Sequence, residues 1–283
     1  MFLAMKLIVS LLFYIQLASV SAFVSAGKNE LKPKCTELGM GGYDQTIINP
    51  NSPIQFFVLP GNTCPYVQRT HIALQELGLP FDITEVSGKP KPDWYLRINP
   101  RGKVPALKKD TQVIYESAIC NEFLCDLANS MNAEQTLMPS DPITRAKIRL
   151  LNDHCDNVFS KTQFTYLMNK DSEKDQELKE AMEDALQMYE DTLADTRGPF
   201  LMGTDFTIAD LHLLPFVQRL VITLKYWKNY ELPQAKFARL SKWLDACSDR
   251  DSVKESSMSE RDTIEVYKKF VDADYNFGGL NKK

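Results

Sequence analysis

Residues 53–78 read PIQFFVLPGNTCPYVQRTHIALQELG, and the order of signals in this stretch sets the fold. Ile54 to Leu59 is a short apolar run of strand length, rich in aromatic and branched side chains. Pro60-Gly61-Asn62 is turn chemistry. Thr63-Cys64-Pro65 then opens a helix to about Leu77. Pro65 suits the first helical position, where its missing N–H costs nothing, and Gly78 closes the helix as a C-cap. Ile72, Leu74 and Leu77 give that helix its buried positions.

Downstream, Phe81 to Val86 alternates with period two, as a half-buried strand does. A short helix is expected at Pro92–Leu96, strands at Val104–Leu107 and Gln112–Tyr115 with a hairpin between, and a helix from Ser117 through Leu127. The order β-α-β-α-β-β-α predicts an α/β unit, a mixed four-stranded sheet with helices on its faces. Beyond Leu137–Pro142, rich in turn residues, the pattern becomes helical. Ile148, Leu151, Cys155, Val158, Phe159 and Tyr166 keep helical spacing, as do Leu178, Ala181, Met182, Ala185, Leu186, Tyr189 and Leu193. Thr207 and Asp210 have the spacing of a capping box, ahead of an apolar helix through Val217. Further helices are expected near 233–249 and 257–272.

The 283 residues are 44% hydrophobic and 25% charged, a soluble globular balance with room for two cores. Net charge is −4 and no long Lys/Arg run occurs, which argues against a nucleic-acid partner. The six cysteines are scattered, without a CxxC pair or Cys/His spacing for zinc, so no metal is expected.

Residues 1–22 have the three-part layout of a signal peptide: Lys6, an apolar run from Leu7 to Leu17, and small residues ending at Ala22. The run is too short to span a bilayer, so no stable membrane span is expected after cleavage. Residues 23–52 read as a flexible leader or transit segment. Phe23, directly after the expected cleavage point, resembles the Phe of bipartite presequences that direct proteins to secondary plastids. Plastid import, ER retention and secretion are all compatible with this leader.

Cys64 is the candidate nucleophile. A thiol attacks as thiolate, and unpaired N–H groups at a helix N-terminus favour the anion. No histidine neighbours it in sequence, so activation by the helix terminus alone is the simplest expectation. Position 67 is Val, so no resolving cysteine follows at CxxC spacing, and a mixed disulfide at Cys64 must be released by an external thiol. Cys120, Cys125, Cys155 and Cys247 read as ordinary core or surface residues.

The segments Asn62–Arg69, Lys91–Tyr95, Asn99–Pro105 and Ile114–Ile119 follow in the order and spacing of omega-class glutathione S-transferases. The resemblance covers about residues 53–275 and implies two domains: a thioredoxin-like glutathione-binding domain (53–133) and an all-helical C-terminal domain (143–275). Between them lies a linker (134–142), and a tail (276–283) follows. It implies that Cys64 takes up glutathione as a mixed disulfide. Val104, before a cis Pro105, would pair its backbone with the cysteinyl part. Glu116 and Ser117 would hold the γ-glutamyl end, and Lys91 the glycyl carboxylate. The co-substrate would be glutathione and the acceptor a glutathionylated thiol or dehydroascorbate, met between the domains near Tyr166, Met168, Phe216, Arg219 and Trp227. A homodimer is compatible with the resemblance. Two other roles are open to such a chain: conjugation of small electrophiles, and a non-catalytic role resembling chloride intracellular channels or an assembly module.

Overall fold

The computed structural model describes residues 52–131 and 136–272. The signal segment, most of the leader, Cys35 and the tail lie outside the described residues. Strand β1 (Ile54–Val58) runs into a 3-10 turn at Pro60–Asn62 and then helix α1 (Pro65–Glu76). Next come β2 (Phe81–Glu85), α2 (Asp93–Ile98), β3 (Ala106–Lys109), β4 (Gln112–Tyr115) and α3 (Ser117–Ser130). The sheet order is β2-β1-β3-β4, with β1 parallel to β2 and the other pairs antiparallel. This is the mixed four-stranded sheet expected.

Alternation along β1 feeds two cores. Ile54, Phe56 and Val58 join the main core, whereas Phe57 turns to the other face with Val86, Tyr95 and Ala106. β2 departs from expectation. It is an edge strand paired only to β1, and Ile83 is 51% exposed rather than half-buried. Only Phe81 keeps a packed face, edge-on to Phe56 and His71.

The second half is helical: α4 (Pro142–His154), α5 (Ser160–Met168), α6 (Asp175–Asp195), α7 (Ile208–Lys228), α8 (Ala238–Ser248), α9 (Asp251–Ser256) and α10 (Glu260–Asp272). Between α4 and α5 the chain makes a π-helical turn at Cys155–Phe159. One residue too many per turn rotates the stripe, so Val158, expected inside, is 42% exposed. The linker is not loose where it is described. Leu137 and Met138 are buried, and the N–H of Ile208 donates to Leu137 O at 2.9 Å.

The capping box at the start of α7 forms as the spacing predicted. Asp210, fully buried, accepts from Thr207 N and Oγ1 at 2.8 and 3.1 Å. It also accepts from Leu201 N (2.8 Å) and Trp243 Nε1 (2.9 Å), tying the α7 terminus to the preceding loop and to α8.

Helix α1 is buried far beyond its three expected positions. Every residue from Val67 to Leu74 is inside, including Gln68, Arg69, Thr70 and His71. The reason is its place among α3, α7 and α9, with His71 against Phe56 and Phe81 of the sheet.

Candidate active site

The turn before α1 positions the thiol. Gly61 and Asn62 both take positive φ, at 70° and 55°. Gly does so freely, and Asn tolerates it better than most residues. Thr63 Oγ1 donates to Pro60 O at 3.2 Å. Cys64 is then the N-cap residue, and its carbonyl accepts the first helical bond, from Gln68 N at 3.1 Å.

Opposite the thiol lies the segment 99–105. Tyr95 Oη and Asn99 Nδ2 both donate to Lys103 O, at 2.6 and 2.8 Å. They fix the loop that leads to a cis Val104–Pro105 bond. The Cys64 thiol faces Val104 O, with Sγ at 3.9 Å. Gly102 sits at φ 62°, where a side chain would also crowd Leu96 Cδ2 at 3.2 Å.

The other expected residues hold protein partners. Glu116 is the N-cap of α3 at φ 70°, a conformation that costs a non-glycine residue about 1–3 kcal/mol. Its Oε1 accepts from Arg101 Nη1 at 2.6 Å, and Arg101 lies over the Tyr115 ring. Ser117 is buried and its Oγ accepts from Arg69 Nη1 at 3.3 Å. Lys91 Nζ donates to Val86 O at 2.7 Å, and burial lowers its pKa.

The expectation that the helix terminus alone would activate Cys64 does not hold. Burial pushes the thiol up from its ordinary value. The N–H groups of Val67 and Tyr66 oppose that, and so do the charges of Arg219 and Arg69. The sequence reading gave neither arginine a part in setting the charge of the thiol. Arg69 lies inside the quoted segment, so its position was visible, but its partners were not.

Those partners form a buried cluster between the halves. Arg69 Nη2 lies 2.8 Å from Asp156 Oδ1, and Arg69 Nε donates to His212 O at 2.8 Å. Its guanidinium packs over the rings of Phe216 and Tyr66. His212 Nε2 lies 3.1 Å from Asp156 Oδ2. Cys155, Asp156 and His212 thus bring three ligand-type atoms within 4.8 Å of one another, although His212 lies more than fifty residues beyond the other two in sequence. Arg69 Nη2, 3.5 Å from Cys155 Sγ, already supplies a positive charge to this cluster. The other described cysteines are buried, and burial holds their thiols far above neutrality, Cys125 and Cys155 at about 12.

His212 gives the cluster a pH signature. Burial first, then the charge of Arg69, pull it down to about 4 despite the pull of Asp156. Unfolded, it would titrate near 6.5. As pH falls from about 6.5 to about 4, the unfolded chain takes up a proton that the folded chain refuses, so stability falls. His71 and His154, also held down by burial, add in the same direction. We expect His212 to cost about 2 kcal/mol of stability between pH 7 and pH 5. Urea unfolding at the two pH values should show a smaller difference for His212→Asn; an unchanged difference would remove His212 from the account.

The geometry is that of a known family. A family model described as "Glutathione S-transferase, N-terminal domain" matches residues 63–127. A second, "Glutathione S-transferase, C-terminal domain", matches residues 156–256. Glutathione transferase Omega 3C from Trametes versicolor has the same fold, with TM-score 0.69 and 30% identity over 78% of this chain and 91% of that one. The chain belongs to the glutathione S-transferase superfamily, in which glutathione is the co-substrate.

Within it, the curated relatives include DHAR and omega-class proteins. "Glutathione S-transferase DHAR3, chloroplastic" from Arabidopsis thaliana is 28% identical over 71% of this chain and 74% of its own length. "Glutathione S-transferase omega-1" from Mus musculus is 28% identical over 72% of this chain and 80% of its own.

Proposed function

We propose that this protein is a glutathione-dependent thiol transferase and reductase that works through a Cys64–glutathione mixed disulfide. The observation that carries the reading is a thiol at the N-cap of α1 with no second thiol among the described residues placed to resolve it. Val67 occupies the resolving position, and the other described cysteines are buried.

The steps balance as thiol–disulfide exchange. The Cys64 thiolate attacks the glutathionyl sulfur of a substrate disulfide, forms Cys64–S–S–glutathione and releases the substrate thiolate. A glutathione thiolate then attacks the same glutathionyl sulfur, leaving glutathione disulfide and the Cys64 thiolate. With dehydroascorbate, two glutathiones supply the two electrons and two protons that yield ascorbate and glutathione disulfide.

In this reading the peptide group at Val104 pairs with the cysteinyl part of glutathione, presented by cis Pro105. Glu116 pairs with the α-amino group of the γ-glutamyl end. Its carboxylate meets Ser117 and the N-terminus of α3, where N–H groups favour an anion. Lys91 exchanges Val86 O for the glycyl carboxylate, a point-charge contact.

The test is reduction of a glutathionylated peptide and of dehydroascorbate, with glutathione as donor, and mass spectrometry of the quenched enzyme. We expect turnover and one glutathionyl group on Cys64. Folded protein that turns over neither acceptor and carries no such adduct would overturn the reading. Conjugation of an electrophile such as chlorodinitrobenzene should be minor beside it, since a cysteine here favours exchange with a disulfide over activation of a glutathione thiol for attack on an electrophile. Lys91→Ala should raise KM for glutathione about 2- to 5-fold with kcat little changed, as loss of one exposed ionic contact does; an unchanged KM would return Lys91 to a structural part.

The plastid reading of the leader draws support from the Arabidopsis relative, which is named chloroplastic. Residues 1–52 fused to a fluorescent protein should direct it to the plastid. Fluorescence in the ER or the medium would decide for the secretory route.

A further inference from the structure

Arg219 stands on α7, in the helical half, yet its guanidinium reaches the turn that carries Cys64. Nη2 donates to Asn62 O at 3.2 Å, two residues before the thiol. Nη1 donates to Gln68 Oε1 at 2.6 Å and to Pro215 O at 2.9 Å. Gln68 Nε2 in turn donates to Gln218 Oε1 and Ser257 Oγ, each at 3.0 Å. Every partner of the guanidinium is a neutral oxygen, and Nε has no acceptor among the described residues.

Arg219 is only 3% exposed. A buried cation without an anion costs several kcal/mol, and proteins as a rule pair such groups. No carboxylate of the described residues bridges to Arg219. The other arginine near the thiol differs on this point, because Arg69 already holds Asp156 at 2.8 Å. Its field at Cys64 is therefore partly cancelled, whereas that of Arg219 is not.

Among the described residues, the titratable groups whose charge acts on Arg219 are the Tyr267 phenol and the Cys64 thiol. Burial holds the phenol un-ionised, up to about 12, so at neutral pH it brings none. The remaining charged or titratable groups that sense Cys64 are Arg69 on α1, Lys91 before α2, and the phenols of Tyr66 and Tyr95, all cationic or neutral at pH 7.

We propose that Arg219 is the counter-charge of the Cys64 thiolate, a positioning residue that the helical half lends to the thiol-bearing turn. The proposal rests on the reading of Cys64 as the nucleophile. It assigns Arg219 two linked tasks: the Asn62 bond holds the turn, and the unmatched charge favours the thiolate in a half-buried setting.

The test is the pH dependence of Cys64 alkylation by iodoacetamide in the full chain without glutathione, with Cys64→Ser as the background. Arg219→Met should move the midpoint up by about one unit or more, slowing alkylation at pH 7 about tenfold. Arg219→Lys keeps the charge but loses the fork, and its midpoint should stay within about half a unit of wild type. If Arg219→Met does not fold, Arg219→Gln replaces it in the comparison. An unmoved midpoint in the folded uncharged variant overturns the proposal. So does an Arg219→Lys midpoint displaced as far as that of the uncharged variant, which would mark a purely structural role. Absence of glutathione turnover with the midpoint still shifted would instead fail the functional reading and leave the electrostatic pairing standing.

Discussion

Cys64→Ser is expected to cut glutathione-dependent reduction of a mixed disulfide by on the order of 10³-fold or more, with stability almost unchanged. The hydroxyl that replaces the thiol does not ionise near neutral pH and forms no disulfide, so both exchange steps are lost. Stability should hold because the thiol's contacts, to Val104 O at 3.9 Å and to the N–H groups of Tyr66 and Val67, can also be made by a hydroxyl, and because it stands at the edge of the core. Thermal unfolding of the two proteins should therefore superimpose. A serine variant retaining a tenth of the wild-type rate would remove Cys64 from the chemistry.

The second large effect belongs to a residue with no expected part in the chemistry. Asp210→Ala removes a buried carboxylate that accepts from Leu201 N, Trp243 Nε1, Thr207 N and Thr207 Oγ1. Four donors lose their acceptor at once, in a place water does not reach. Each unsatisfied buried donor costs about 1–3 kcal/mol before relaxation, and we expect a net loss of about 3–5 kcal/mol. At 2–4 °C per kcal/mol for a chain of this size, the midpoint should fall by roughly 10 °C. Asp210→Asn keeps one acceptor oxygen and turns an NH₂ toward the remaining donors, so it should recover only part of the loss. A calorimetric midpoint within about 2 °C of wild type for the alanine variant would refute this account.

How far the molecule could be read from its residues depended on how local each signal was. β1, the turn and α1 were legible because Pro60-Gly61-Asn62 and Pro65 punctuate adjacent segments. The hairpin of β3 and β4 and the box of Thr207 and Asp210 were legible for the same reason. The outward face of Ile83 was not, because a period of two reveals a strand but not whether it lies at the sheet edge. The π-turn at Cys155–Phe159 has no distinct composition, so helical spacing carried the stripe through Val158 unshifted. The polar cluster was the least visible part. Arg69 finds Asp156 eighty-seven residues away and Arg219 finds Asn62 at a separation of 157, contacts set by packing and not by spacing. The glutathione-site positions were read from motif resemblance, and the exchange assay and Lys91→Ala are what bear on them.

The burial of α1 also orders events during synthesis. Gln68 and Arg69 find Arg219 and the His212 carbonyl only after α7 has been made, more than 140 residues later. At about 5–20 residues per second, the ribosome needs roughly 7–30 s to cover that distance. Through that interval the nascent first half has a polar helix face awaiting its partners, and a chaperone has something to hold.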